Sequence, residues 1–456
     1  MTSKREFIQV NPTNLGDGVF SDRNGLNQII FEIPRVPKIM NGKSLRVSGT
    51  FKAVNGDGAT QPDNGNQFLV GAGATNDFYI DGRTGVQSVI ETLSIQNLEG
   101  ATYSTIKQYN RLCSSLMPLN ESIKSYQNGG VDILYGGLSK DVSTARKCDR
   151  EFEFAIPILD GFLMGQPVDL FMVKGLRIVI TLAPSNYVIS NNKWRNPASA
   201  SALTNGGAYY ELSAMKCSFE AEVPDDKGQS AMMMNKNGVM EYNTYSQFYN
   251  VLQSSDHSIT LNINTGRTLA VIGNVIPSSW VNSYNWNSSR TIQPLTESAA
   301  NFLKNRLQID EMTFTKGGMR KPLDFEIVSR DTQANGTADA PKNKVSLNAI
   351  SDEWNTDRHV KSLKTELSNP LSNTQPARFD RTRYSINEED KVQQYNIGVN
   401  YDHITDNGVN FKGTPLGLRI QSTPAVGQAI QPHSIFLYVK HKNTLVFRNG
   451  LVSVVN

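Results

Sequence analysis

The chain has 456 residues, of which 38% are apolar and only 19% charged, with 35 glycines. That length exceeds one ordinary domain and is comfortable for two. The surplus of glycine and uncharged polar residues suits sheets joined by long loops better than helical bundles. With 45 basic against 42 acidic residues the net charge is +3, and no dense Lys/Arg run occurs, which argues against a protein that condenses nucleic acid.

The three cysteines, Cys113, Cys148 and Cys217, are widely spaced and form no CxxC. That excludes a disulfide framework and a structural zinc site as the basis of the fold. The first residues, MTSKREFIQVNPT, lack the apolar core of a signal peptide. No stretch approaches the ~18 apolar residues that span a bilayer. Synthesis in the cytosol is expected.

Residues 1–25 are polar with scattered turn residues and read as an N-terminal arm. Ile29–Val36 and Ser44–Val54 follow as strands; in the second, Leu45, Val47, Gly49, Phe51 and Ala53 alternate with polar residues. Asn55–Asn76 is a Gly/Asn/Asp-rich loop, and Val86–Gln96 returns to strand character. A helix is expected over Thr102–Met117, with Thr102 as its N-cap and Ile106, Tyr109, Cys113 and Leu116 on one face, ended by Pro118.

Glu151–Ala183, EFEFAIPILDGFLMGQPVDLFMVKGLRIVITLA, contains two strand-like runs separated by a corner at Pro157, Gly161, Gly165 and Pro167. Pro184–Gly207 is a second long loop, and Met215–Val223 alternates cleanly. Residues 225–238 read as a linker, whose methionine run (Met232–Met234) is expected to fill gaps at a domain seam.

The second half repeats this style. Strands are expected at Ser258–Asn264, Thr268–Ile276, Arg306–Phe314, Leu323–Val328, Tyr395–Tyr401 and Leu416–Ser422. Ser434–His441 and Thr444–Val455 read as a closing hairpin around Lys442–Asn443. Ser329–Ser385 is a long polar excursion with a short helix near Ser346–Trp354. Gly175-Leu176-Arg177-Ile178 recurs as Gly417-Leu418-Arg419-Ile420, each after a Gly/Pro corner and before the closing strands of its half. Two all-β domains of similar plan are expected, at 26–224 and 239–456.

Chemistry is sparse. The histidines (His257, His359, His403, His433, His441) show no HxH or HExxH spacing. No GxSxG occurs, and Asn41-Gly42-Lys43-Ser44 lacks the earlier glycine of a phosphate loop, because position 37 is Pro37. No catalytic, metal or cofactor site is assigned. Trp280, Tyr284 and Trp286, in an Asn/Ser loop, are candidate exposed aromatics, either a sugar platform or a subunit contact.

Three stretches carry a resemblance. They are Gly85–Leu112, the Phe-x-Phe-x-Ile-Pro-Ile-Leu-x-Gly corner with its GLRIVITLA, and the C-terminal IFLYVKHKNTLVFRNGLVSVVN. In order and pattern the chain resembles the double jelly-roll major capsid proteins of polinton-like viruses, virophages and nucleocytoplasmic large DNA viruses. The resemblance implies two tandem eight-stranded jelly-roll sandwiches and a homotrimeric, pseudo-hexagonal capsomer tiling an icosahedral shell. It also implies contacts with penton and minor capsid proteins or an internal membrane, no specific nucleic-acid binding, no enzyme activity, and residence in the virion. On that reading the arm residues Lys4, Arg5 and Phe7 touch neighbours, and Asn55–Asn76, Pro184–Gly207 and Ser329–Ser385 form outward loops. The alternative is a virion penton or fibre, or a carbohydrate-binding surface protein built from the same sandwiches.

Overall fold

A computed structural model of the protein describes residues 4–14, 18–54, 79–80, 84–113, 146–147, 151–190, 209–235, 237–278, 281, 308–320, 396–401, 408–423 and 432–455. The first half holds β1 (Lys4–Val10), β2 (Val19–Phe20), β3 (Gln28–Ile33), β4 (Ile39–Val54), β5 (Tyr79–Ile80), β6 (Ile90–Gln96) and β7 (Thr102–Lys107). It continues with β8 (Arg146–Lys147), β9 (Phe152–Pro157), β10 (Val168–Asp169), β11 (Leu176–Leu182), β12 (Ile189–Ser190) and β13 (Tyr209–Val223). The second half holds β14 (Gly238–Leu252), β15 (Asp256–Leu261), β16 (Thr268–Pro277), β17 (Gln308–Lys316) and β18 (Met319–Arg320). It closes with β19 (Asn396–Asn400), β20 (Leu416–Thr423), β21 (His433–Arg448) and β22 (Leu451–Val455). Short helices α1 (Gly161–Gly165), α2 (Ser185–Val188) and α3 (Asp226–Met234) link them.

Each half is built round a sandwich of two antiparallel sheets, and in the first half β12-β5-β8 form a further small sheet. In the first, one sheet runs β1-β13-β4-β9 and the other β3-β11-β6-β7. In the second, the orders are β14-β21-β16-β19 and β15-β20-β17-β18. Numbered within its own half, each sandwich joins its principal strands as first-eighth-third-sixth and second-seventh-fourth-fifth. This interleaving is the jelly roll, and it occurs twice with the same order.

The alternation read from sequence has its physical cause in these sheets. Leu176, Ile178, Ile180 and Leu182 of β11 are buried in the first core, while Arg177, Val179 and Thr181 are partly exposed. Leu416, Leu418 and Ile420 of β20 do the same in the second core. The GLRI echo is therefore structural: both copies lie on the seventh strand of their sandwich. Arg177 pairs with Glu32 of β3 at 2.7 Å, and Arg419 with Asp256 of β15 at 2.5 Å. β3 and β15 are both second strands, so an ion pair from this arginine to the second strand recurs, directly across at Glu32 and diagonally, two residues along, at Asp256.

Several expectations are corrected. Within residues 1–25, Lys4–Val10 is not a loose arm but strand β1, paired along its length with β13 from Lys4↔Val223 to Val10↔Cys217. The helix expected from Thr102 does not start there. Thr102–Lys107 is strand β7, paired with β6, and the chain turns at Gln108, with φ 50°, into a helical turn at 109–113. Tyr109 and Cys113 do lie in that turn and are buried; Ile106 is buried from the strand instead, and Leu116 lies outside the described residues. Val86–Gln96 is strand only from Ile90, being preceded by a 3-10 turn at Gly85–Val89.

The closing hairpin turns later than expected. β21 runs straight through Lys442 and Asn443, and the reversal falls at Asn449-Gly450, with φ of 52° and 79°. Asn-Gly is the pair that the tightest hairpin turns demand. Of the expected linker, Asp226–Met234 forms helix α3, capped by Asp225 Oδ1 accepting from Gly228 N at 2.9 Å. Leu323–Val328, Ser329–Ser385, Ser346–Trp354, Asn55–Asn76 and most of Pro184–Gly207 lie outside the described residues; Ser185–Val188 of the last is helix α2.

Candidate functional site: the seam between the two sandwiches

The seam is built on β14 and β21, strands of 15 and 16 residues. In β21, every residue from His433 to Val439 is buried. Ile435, Leu437 and Val439 point into the second core, while Phe436 and Tyr438 point the other way and join the first sandwich's cluster. Ala270, Ile272 and Ile276 of β16 accompany them. The β14 sheet thus packs its own core beside Ile435–Val439, and it meets the first sandwich in two places: through its outer face at Tyr245, Phe436 and Tyr438, and farther along the strands through the other face at Met240, Tyr242, Leu445 and Phe447.

What this face covers is an edge. Among the described residues β7 pairs with β6 alone, and an open strand edge invites foreign pairing unless it is blocked. Here Tyr242 Oη donates to the Tyr103 carbonyl at 2.6 Å, and Tyr438 Oη donates to the Gln108 carbonyl at 2.8 Å. Gln247 Nε2 donates to Gln108 Oε1 at 2.7 Å. Phe162 of α1 meets Tyr242 edge-on, with ring centroids 5.2 Å apart, and stacks obliquely on Tyr103 at 5.1 Å. The Arg111 guanidinium sits 5.7 Å from the Phe436 ring.

A glycine sets the closeness of approach. A Cβ at Gly161 would stand 2.3 Å from the Asn243 carbonyl oxygen, so the corner glycine is where α1 meets β14 backbone to backbone. Beside it lies a buried carboxylate. Asp160 caps α1, its Oδ1 accepting from Phe162 N at 2.9 Å and Leu163 N at 3.3 Å. Its Oδ2 accepts from Ser104 Oγ at 2.6 Å, and Ser104 Oγ lies 2.8 Å from Thr244 Oγ1. Because Ser104 spends its proton on the carboxylate, Thr244 must donate to Ser104. The relay Thr244→Ser104→Asp160 thereby ties β14 to β7 and α1. Burial pushes the Asp160 carboxyl up to about 6, against the opposing pull of Ser104 and the two amides.

Among the described residues the seam holds no convergent catalytic set. Burial raises the Cys113 thiol well above its usual range and pushes Cys217 up to about 12, so both are inert packing residues. Among the described residues, no cluster of His, Cys, Asp or Glu could hold a metal ion. Asp256 faces Arg419, and His257 Nε2 lies 3.1 Å from Asn250 Oδ1, so the adjacent pair is not a dyad. His441, buried and pushed down by that burial, lies between Ser246 and Asn443. At one end of the seam a groove of about 270 Å³ is lined by Arg35, Phe171, Met172, Met233 and Phe447 among others.

The sequence-predicted residues do not gather there. Lys4, Arg5 and Phe7 stand on β1, at the far edge of the first sandwich, all exposed. Trp280, Tyr284 and Trp286 lie outside the described residues. The methionine run expected to pack the seam is only partly used: Met233 lines the groove, but Met234 is 79% exposed. Sequence reasoning missed the residues that do build the seam: Tyr103, Ser104, Asp160, Tyr242, Thr244, Phe436 and Tyr438. Only the unbroken apolar run Ile435–Val439 hinted at a strand covered on both faces.

This tandem pair of jelly rolls, docked sheet-face to strand-edge, is the double jelly-roll fold of viral major capsid proteins. Among solved structures, the chain is similar to the capsid protein in a quasi-atomic capsid of PBCV-1 virus, at 10% identity and TM-score 0.58, covering 100% of this chain and 97% of that one. It is similar to the Faustovirus major capsid protein at 8% identity and TM-score 0.57, covering 98% and 91%. It is also similar to a protein of the Sputnik virophage at 13% identity and TM-score 0.53, covering 99% and 88%. No family model matches the sequence, and no curated protein matches it.

Proposed function

We propose that the protein is the major capsid protein of an icosahedral double-stranded DNA virus, a structural subunit rather than an enzyme. Three copies would supply six sandwiches to a pseudo-hexagonal capsomer, which joins its neighbours, penton and minor capsid proteins in the virion shell. The observation that carries this is the double repeat of one strand order, rigidly joined by the buried Tyr242–Tyr103 and Tyr438–Gln108 seam. Two like blocks fixed side by side in one chain make a building unit. The domain division we infer is a first sandwich from Lys4 to Val223, a junction at Asp225–Asn237 and a second sandwich from Gly238 to Val455.

The test is mass in solution by light scattering, followed by electron microscopy. Trimers of hexagonal outline are expected. A chain that stays monomeric at high concentration and binds or cleaves glycans would refute the reading in favour of a surface lectin or carbohydrate-active enzyme.

A further inference from the structure

The seam has two sides, and the repeated strand order means each sandwich owns a version of both. The first sandwich supplies the accepting side, the open edge of its fifth strand β7. The second supplies the covering side, the outer face of its first-eighth-third-sixth sheet at Tyr245, Ile272, Phe436 and Tyr438, helped by the far ends of β14 and β21. Two halves are left over. The first sandwich keeps an unused covering face, the outer face of the β1 sheet: Arg5, Phe7, Ser48, Thr50, Lys52, Glu211, Ser213 and Glu220 line it, all at least partly exposed. The second sandwich keeps an unused accepting edge, its fifth strand β18, which pairs with β17 alone among the described residues.

We infer that these leftover halves meet between copies: the outer face of the β1 sheet of one chain seats on the β17–β18 hairpin of a second copy. The inference rests on the capsomer reading and names its contact. Chemistry at the two halves favours the match. Of the nine large hydrophobic side chains exposed among the described residues, one stands on each half, Phe7 at 70% and Met319 at 72%. Around Phe7 the face carries both signs of charge, with Arg5 opposite Glu222 and Phe7 opposite Glu220 in the β1–β13 register. Lys316 and Arg320 flank Met319 on the hairpin, so the basic hairpin can lie against Glu220 and Glu222 with the two apolar side chains at the centre. A contact in which the covering face of one unit takes the accepting edge of the next is heterologous, and it closes into a ring when the turn per unit allows. Internal and external joints would then alternate around that ring.

The contact differs in kind from the internal seam. The internal seam buries Tyr245, Ile272, Ile276, Phe436 and Tyr438; the external one would bury a hydrophobic pair within a charged and hydroxyl-bearing rim. Such rims weaken as salt screens them.

The test uses the full chain. Phe7→Glu and Met319→Glu are each expected to raise the concentration of half-assembly by about thirtyfold or more, the loss typical of a central anchor, with unchanged melting curves. Leu451→Glu, equally exposed at 73% but on neither half, is expected to leave assembly intact. In a Cys148→Ser background, oxidising a mixture of Phe7→Cys and Met319→Cys chains is expected to give a covalent dimer on a non-reducing gel. A wild-type chain that never assembles would overturn the capsomer reading, and this contact with it. A wild-type trimer that survives both glutamates and yields no cross-link would overturn this contact alone.

Discussion

The outer faces of the β14 and β1 sheets occupy equivalent places in the two sandwiches and have opposite chemistry. On the eighth strand, Phe436 and Tyr438 point outward from β21, whereas Glu211 and Ser213 point outward from β13. On the third strand, Ala270 and Ile272 of β16 contrast with Ser48, Thr50 and Lys52 of β4. The backbone plan is shared, so the difference lies in the side chains alone. The first face is made to be covered permanently, and desolvating its side chains stabilises the folded chain. The second must face water until something arrives. A single fold thus carries a permanent joint and a wettable one, distinguished by alternate residues along two strands.

The sharpest way to break the comparison is to place the same charge on both faces. Tyr438→Asp puts an unpaired carboxylate into the seam and removes the donor to Gln108; we expect a loss of about 4 kcal/mol or more, or failure to fold. Ser213→Asp, outward on the corresponding eighth strand, is expected to change stability by about 0.5 kcal/mol or less. Thermal or urea unfolding measures both, and equal effects would mean that the faces are not different in kind.

The next effect is pH-dependent. Asp160 is raised in the folded state, to about 6. A carboxyl so raised gives its full contribution to stability below its unfolded value, and that contribution is lost as pH rises through the folded value. From a usual carboxylate value near 3.9 to about 6 the loss is roughly 3 kcal/mol. The seam should therefore tighten on acidification between neutral pH and about 4, against whatever the surface carboxylates contribute. Asp160→Asn keeps the cap acceptor without the charge, so its melting temperature should gain most at pH 7.5 and least near pH 4. A gain independent of pH would show that the carboxylate is not what titrates.

Smaller again, Tyr242→Phe removes one hydroxyl from the Tyr103 carbonyl and should cost about 1 kcal/mol. Smallest of all, Arg177→Ala and Arg419→Ala open the repeated surface pairs with Glu32 and Asp256. Neither should move the melting temperature resolvably, because exposed ion pairs are screened and entropically costly. If one did and the other did not, the repeat would be geometric without being energetic.

Much of the sandwich plan was legible because sheets covered on one face must alternate. β4, β11 and the late part of β13 showed this directly, and the GLRI echo fell on truly equivalent strands. The seam was not legible, for the same reason. β14 (GVMEYNTYSQFYNVL) buries Met240, Tyr242 and Thr244 from one face and Tyr245 from the other, so its apolar residues keep no single period and no strand was expected there. β7 (TYSTIK) carries Tyr103 and Ser104, whose burial is decided by residues some 140 positions away, and the helical spacing of Tyr109 and Cys113 disguised it. β1 read as an arm because Lys4, Arg5 and Glu6 open it. At an edge, charge is what keeps a strand from pairing indiscriminately. The Asn449-Gly450 turn was visible in principle, but the polar Lys442-Asn443 pair drew the expected reversal too early.

The pairing of first strand with last has a consequence for how the chain is made. β1 cannot find the whole of β13 until more than 200 residues have followed it, and β14 waits nearly as long for β21. Such long-range closure is slow. Once it happens, the outer side of the β14 sheet presents Phe436, Tyr438 and Ile272, which stay exposed unless the first sandwich has already folded to receive them. Vectorial synthesis supplies the safe order: the first sandwich, with its water-tolerant outer face, can mature alone and stand ready as the template on which the sticky second one sets. Reversing the two halves by circular permutation would expose the adhesive sheet first, and aggregation during synthesis would be the cost.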